Sequence, residues 1–285
     1  MNLDKAKLEA FILNALAEDI GDGDHTSIST IPQGQTGKGK LLIKDNGIIA
    51  GIDISLEIFK AVDPKLQIEI LIHDGESVKP GDIAFYVNGS VHSILKAERL
   101  VLNIMQRMSG IASTTNRIVK ILKGTGTRVL DTRKTTPGLR YLEKLAVKIG
   151  GGVNHRFGLY DMILIKDNHV DYAGGISNAI KSAQTYLKLN KMNIPIEIEV
   201  RNLEELKEVM QFGQIDRILL DNFSFLLLKQ AVELVKGAYI TEASGGITEE
   251  NVLEYAQCGI DYVSMGALTH SVKSLDMSLK AVKSQ

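Results

Sequence analysis

Apolar residues recur at helical spacing over residues 3–19, with Leu3, Leu8, Phe11, Ile12, Ala15 and Leu16 sharing one face, and this predicts an opening amphipathic helix. The period then shortens. Lys40-Leu41-Leu42-Ile43-Lys44, Leu66-Gln67-Ile68-Glu69-Ile70 and Ile83-Ala84-Phe85-Tyr86-Val87 read as strands within residues 37–50 and 66–95. Ile52 to Val62 reads as a helix stopped at Asp63-Pro64, and Asp74 to Asp82 as two turns around a short β segment. Residues 94–123 predict a long helix with Ile94, Leu95, Leu100, Val101, Ile104 and Met105 on its apolar side, interrupted at Ser109-Gly110.

From Thr127 the pattern changes again. Apolar runs recur at Arg128–Asp131, Met162–Lys166, Ile196–Val200, Arg217–Asp221, Ala238–Glu242 and Ile260–Met265, and segments such as Asn202–Phe212, Ser224–Lys236 and Thr248–Cys258 between them have helical periodicity. Repeated β-α units imply a parallel sheet, which must be covered on both faces or closed on itself. The expectation is an N-terminal α+β domain (open β-sandwich-like) over residues 1–112 and a (β/α) barrel with fewer than eight strands over residues 113–270. Residues 271–285 are left free to rejoin the first domain. No Gly-x-Gly-x-x-Gly follows a strand, which argues against a dinucleotide-binding sheet.

Charge sharpens this picture. The 285-residue chain is formally −1, yet from Arg128 to His169 eight Lys or Arg (128, 133, 134, 140, 144, 148, 156, 166) stand against four acids (131, 143, 161, 167). A local cationic excess in a balanced chain points to a small anion held at one place, whereas a nucleic-acid binder would be basic over a whole face. Trp is absent and aromatics make up 5%, so there is little material for stacking bases. No apolar run of membrane length occurs, and Met1-Asn2-Leu3-Asp4-Lys5 is of mixed charge, unlike a signal peptide. Cys258 is the single cysteine, which excludes an intrachain disulfide and makes cytoplasm the default location. The acidic Glu18-to-Thr26 segment lacks the closing Glu of an EF-hand loop and reads as a structural turn.

Candidate chemistry sits where the barrel strands end. In order these ends carry Asp131 with Thr132, Arg133 and Lys134, then Lys166, Glu199, Asp221, Ser244-Gly245-Gly246, and Ser264 with Gly266. In a (β/α) barrel the C-terminal strand ends surround one pocket. Strand parity puts Glu197 and Glu199 on one face, and two carboxylates pointing into a barrel require cations. Lys166, Arg133, Lys134 or a bound metal would supply them, and an internal salt-bridge network is the plainer alternative. Ser244-Gly245-Gly246 with Thr248 as N-cap resembles a phosphate cradle. Among the histidines, His25, His73 and His92 read as structural, His155 beside Arg156 faces the cationic segment, and His169 and His270 remain open. No His-x-His or His-Glu-x-x-His spacing points to a transition metal.

These residues resemble a known family. Asp131–Gly138, Gly150–Arg156 and Leu164–His169 are similar to the central motifs of quinolinate phosphoribosyltransferases, and the likeness extends from Glu18-Asp19 to Gly266–His270. The resemblance implies transfer of phosphoribose from phosphoribosyl pyrophosphate (PRPP) to quinolinate with decarboxylation, giving nicotinate mononucleotide, CO2 and pyrophosphate. It implies that Arg133, His155, Arg156 and Lys166 line the quinolinate site, and that Arg99 reaches it from the partner subunit of a homodimer. Lys134, Lys166, Gly245, Gly246 and Gly266 would meet the phosphates of PRPP, Glu199 and Asp221 the ribose and Mg2+, and Thr132, Ser244 and Ser264 would be further substrate-binding residues. Lys134, Lys166, Glu199 and Asp221 would be the catalytic set, with neither nucleic acid nor membrane as a partner. The rival readings are a related transferase acting on another acceptor, against which the intact Arg133, His155 and Arg156 set argues, a Schiff-base aldolase using Lys166, and a carrier or binding protein built on a lipoyl-like first domain.

Overall fold

The two hydrophobic periods build two separate units in the computed structural model, which describes residues 5–282. Leu3 of the first predicted helix and residues 283–285 lie outside the described residues. In chain order the elements begin α1 (Lys5–Ile20), α2 (His25–Thr30), β1 (Thr36–Ile43), β2 (Gly47–Ile48), α3 (Ile52–Val62), β3 (Gln67–Ile70), β4 (Ser77–Val78), β5 (Ile83–Ser90) and α4 (Val91–Ile121). There follow β6 (Arg128–Leu130), α5 (Arg140–Ile149), β7 (Ile163–Ile165), α6 (Asp167–Ala173), α7 (Ile176–Leu189), β8 (Ile196–Val200) and α8 (Leu203–Phe212). The chain continues with β9 (Arg217–Asp221), α9 (Phe225–Val235), β10 (Ile240–Ser244), α10 (Val252–Ala256), β11 (Tyr262–Ser264), α11 (Ala267–His270) and β12 (Met277–Val282).

Among the described residues, the first unit gathers residues 5–114, the segment Pro137–Gly150 and residues 272–282. Its antiparallel sheet has the order β12-β1-β5-β3. Alternation decides its covered face: Leu41 pairs with Phe85, and with Ile43 and Val87 they are fully buried. Phe85 meets Phe59 of α3 edge-on at 5.7 Å between ring centroids. The segment 271–285 supplies β12, whose Leu279 lies opposite Leu41. Within the same unit Arg107 donates to the buried Glu143 at 2.6 and 2.7 Å, tying α5 to α4.

Two sequence expectations are corrected in this unit. The helix α4 runs through Ser109-Gly110 without a break. Gly110 marks a close approach, since a Cβ there would lie 2.3 Å from the Lys273 carbonyl oxygen, and the Ser109 hydroxyl accepts from the Ala50 N–H at 2.9 Å. The turn expected up to Thr26 gives way at His25 to the short helix α2, capped by Asp24 accepting from the Ser27 N–H at 3.0 Å.

The second unit holds Thr115–Thr136 and Gly151–Ser271. Its six strands are parallel in the order β6-β11-β10-β9-β8-β7. Pairing of the last strand, β11, with the first, β6, is what closure of a barrel requires. The seam lies between β6 and β7, where Val153 adds a single bridge to Leu130. All five residues of β8 are buried, so its apolar face meets the outer helices and its Glu197 and Glu199 turn inward. Asp216 and Asp261, each just before a strand, accept from the Ile196 and Thr241 N–H groups of the neighbouring strands at 2.7 and 2.8 Å. These bonds satisfy strand-end donors and hold the stagger between adjacent strands.

Candidate active site

The C-terminal ends of the barrel strands carry the polar residues singled out above, and the geometry groups them. At the end of β7 the Lys166 Nζ lies 3.0 Å from Oε2 of the buried Glu199 on β8. Asp221 ends β9, its carboxylate accepting from Asn222 Nδ2 at 2.6 Å. Burial, and then the negative charge of Glu199, raise the Asp221 pKa. Two neighbouring carboxylates beside a lysine form a hard oxygen donor set that suits a divalent cation. Glu199 and Asp221 therefore fit the Mg2+ implied by the resemblance.

After β10 the chain turns through Gly245 and Gly246, with φ of +99° and +62°. A Cβ on Gly245 would lie 2.1 Å from Asn222 Oδ1, so the loop passes closer to β9 than any side chain allows. The Gly245 carbonyl accepts from the Tyr255 hydroxyl at 3.3 Å and the Gly246 carbonyl from Asn251 Nδ2 at 3.0 Å. Thr248 is not the helix N-cap that the sequence suggested: α10 starts only at Val252 and spans five residues. Asn251 instead accepts from the Thr248 N–H at 2.8 Å, closing a tight turn. Any anion at this loop is met by a glycine turn and not by a long helix dipole.

The end of β6 bends back across β11. Lys134 lays its stem over Gly266, where a Cβ would be 3.0 Å from Lys134 Cδ, and its carbonyl accepts from the Thr269 hydroxyl at 2.8 Å. The Thr132 hydroxyl accepts from the Lys134 N–H at 3.0 Å, and Arg133 and Lys134 are exposed. Buried Asp131 organises the next loop, accepting from Asn154 Nδ2 at 2.6 Å and from the His155 N–H at 2.9 Å. Arg156 is held with its guanidinium donating to the Met162 carbonyl at 3.2 Å. Its pKa is lowered by burial and then by the charge of Arg133, so the two guanidinium groups share one region. Ser264 is buried. Arg99 is exposed on α4 in the first unit.

Glu197 departs from the expectation that strand-end cations meet both inward carboxylates. Its nearest cation is Arg217 of β9, with Nε 3.9 Å from Glu197 Oε1, and Arg217 Nη1 donates to Glu242 Oε2 at 3.0 Å. His155, expected to face the cationic segment, turns inward, with Nε2 2.9 Å from Glu197 Oε2. Burial, and then the charge of Glu197, push the Glu242 carboxyl up to about 7. The salt-bridge alternative thus holds for Glu197, and the strand-end pairing holds for Glu199.

Comparison with known proteins identifies the family. A family model described as "Quinolinate phosphoribosyl transferase, C-terminal domain" matches residues 111–280, and its N-terminal counterpart matches residues 24–109. The Arabidopsis thaliana protein named nicotinate-nucleotide pyrophosphorylase [carboxylating], chloroplastic, is 46% identical over 96% of this chain and 82% of its own length. A Bacillus subtilis protein named probable nicotinate-nucleotide pyrophosphorylase [carboxylating] is 42% identical over 96% of this chain and 93% of its own. The crystal structure of NadC from Streptococcus pyogenes superposes with a TM-score of 0.93 at 36% identity, covering 99% of this chain and 100% of that one.

Proposed function

Since this chain belongs to the quinolinate phosphoribosyltransferase family, we propose how its residues divide the work of the family reaction. The reaction is transfer of phosphoribose from PRPP to the ring nitrogen of quinolinate with decarboxylation, giving nicotinate mononucleotide, CO2 and pyrophosphate in NAD biosynthesis. The observation that carries the assignment is the arrangement of opposite charges at the barrel mouth. Arg133 and Arg156 crowd one region, and the Lys166–Glu199 pair with Asp221 forms another.

Quinolinate is a dianion, and planar guanidinium forks match carboxylates in two-point contact. Arg133 and Arg156 take its carboxylates, with His155 supporting that wall. Lys134 and Lys166 meet the phosphates of PRPP, and Thr132, Ser244 and Ser264 line the same side. Gly245, Gly246 and Gly266 receive the phosphate of the phosphoribosyl group along the backbone. Glu199 and Asp221 would hold the ribose hydroxyls and Mg2+, and the ion would supply charge neutralisation for the departing pyrophosphate. Loss of that group leaves an oxocarbenium-like ribose, so positioning and electrostatics supply the catalysis. The ribosylated ring nitrogen then carries positive charge and stabilises the electron pair left on the neighbouring ring carbon as CO2 departs, and a proton from water completes nicotinate mononucleotide at that carbon.

Arg133→Ala is expected to raise the KM for quinolinate about a hundredfold, the scale of a lost charged two-point contact, and that for PRPP less than about threefold. Initial rates with each substrate varied in turn measure both, and equal losses would contradict the division. Arg99 comes from the partner subunit in this proposal, which makes the site a property of the homodimer. Mixing inactive Arg99→Ala and Lys166→Ala subunits should then restore activity towards a quarter of the native level, because each hybrid dimer has one intact site. No recovery after subunit exchange would remove the shared site. Cytoplasm is proposed as the location, supported by a single, buried cysteine. Among the described residues no helix is long and apolar enough to cross a membrane.

A further inference from the structure

One buried cluster of the barrel is not used by the chemistry above. Glu197, Glu242 and Arg217 meet inside it, and His155 closes it from the mouth side, its Nε2 2.9 Å from Glu197 Oε2 and 3.5 Å from Glu242 Oε2. The approach to Glu197 is bent, for neither of its oxygens receives a well-directed hydrogen bond. The other ring nitrogen, Nδ1, accepts from the Arg156 backbone N–H at 2.6 Å. That bond assigns the tautomer: Nδ1 is the acceptor, so Nε2 carries the proton and faces the carboxylates.

By composition the set suits a transition metal, since one ligand atom from each of His155, Glu197 and Glu242 lies within 4.8 Å of the others. Two features decide against that. The Arg217 guanidinium already supplies the cation, at 3.0 Å from Glu242 and 3.9 Å from Glu197. A metal on Nε2 would also force the ring proton onto Nδ1, where it would oppose the Arg156 N–H. We infer that Glu197, backed by Glu242 and Arg217, is a positioning residue that keeps the His155 proton on Nε2. Nδ1 then stays free to accept from Arg156, which sets the direction of the Arg156 guanidinium towards a substrate carboxylate. The Glu197 charge also reaches Arg156 directly. The substrate half of this inference rests on the quinolinate assignment above.

Glu197→Gln is the test, with Glu242→Gln beside it. Loss of a charged partner at 2.9 Å is expected to raise the quinolinate KM about tenfold and leave the PRPP KM within about twofold. Glu242, at 3.5 Å and already paired with Arg217, should change the quinolinate KM less than about threefold. A residue that only held the fold together would raise both KM values alike, and that result overturns the inference. The unaltered protein gives a second measurement that does not depend on how the variants fold. Long-range proton–nitrogen spectra of histidine-labelled enzyme should find His155, assigned by its loss in His155→Asn, in the Nε2–H form, and the Nδ1–H form would refute the inference. An enzyme without activity on quinolinate but with His155 in the Nε2–H form would instead separate failure of the substrate assignment from failure of the positioning role.

Discussion

Gly245→Ala is expected to raise the KM for PRPP about a hundredfold while changing that for quinolinate little, because it removes the turn that brings backbone to phosphate. Two independent costs act at this position. The φ of +99° is one that L side chains rarely adopt, at about 1–3 kcal/mol for a non-glycine residue. The new Cβ would also lie 2.1 Å from Asn222 Oδ1 and 3.0 Å from the Asn222 nitrogen, so β9 and the loop must part. Asn222 donates to the Asp221 carboxylate, so the disturbance passes to the acid proposed for the ribose and Mg2+. Gly246 serves as the control: a Cβ there meets nothing within 4 Å, and its φ of +62° costs an L residue about 1–2 kcal/mol. Gly246→Ala should therefore weaken PRPP binding clearly less than Gly245→Ala. Steady-state kinetics on both variants, with thermal melts to establish folding, decide the point. A Gly245→Ala enzyme with native PRPP KM would refute the cradle.

Lys166→Ala should lower kcat/KM about a thousandfold, the scale found when a fixed charge aimed at a reacting centre is removed. The lysine stands 3.0 Å from Glu199, and Glu199 in turn raises the pKa of Asp221. The ammonium group helps to hold the Asp221 pKa down, so without it Asp221 shifts further towards its protonated form, and the buried Glu199 loses its ion-pair partner. The variant thus loses a phosphate partner and also disturbs the pair proposed to hold Mg2+. Higher Mg2+ should recover part of the loss. A loss smaller than about tenfold would show that Lys166 stands outside the reaction. The aldolase reading falls if the native enzyme shows no borohydride trapping of a carbonyl compound on Lys166.

Much of this site could be read from the chain because barrel geometry is periodic. A strand of alternating Ile and Glu, as in β8, has one workable placement once both faces are covered, and parity therefore turned Glu197 and Glu199 inward. The six strands were marked by apolar runs, and the residue after each run marked the mouth of the barrel. What parity could not supply was depth. Arg217 opens its strand and looks like a solvated flank, yet register places it opposite Glu197 and next to Ile240, inside the barrel. The inward turn of His155 depends on Asp131 and the backbone of Arg156, contacts set by loop geometry with no periodic signature. Ser109-Gly110 misled for a related reason. Both residue types weaken a helix in isolation, but here tertiary packing selects them, one for a hydrogen bond and one for a close approach.

The opposed charges at the barrel mouth are proposed to bring quinolinate and PRPP together for ribosylation followed by decarboxylation. Release of labelled CO2 from quinolinate, carrying the label in the carboxylate next to the ring nitrogen, measures that claim directly. Release is expected to require PRPP and Mg2+ together with the enzyme, and to stop when any one is left out. Quinolinate that keeps its label with all three present, or loses it equally fast without PRPP, would contradict the account.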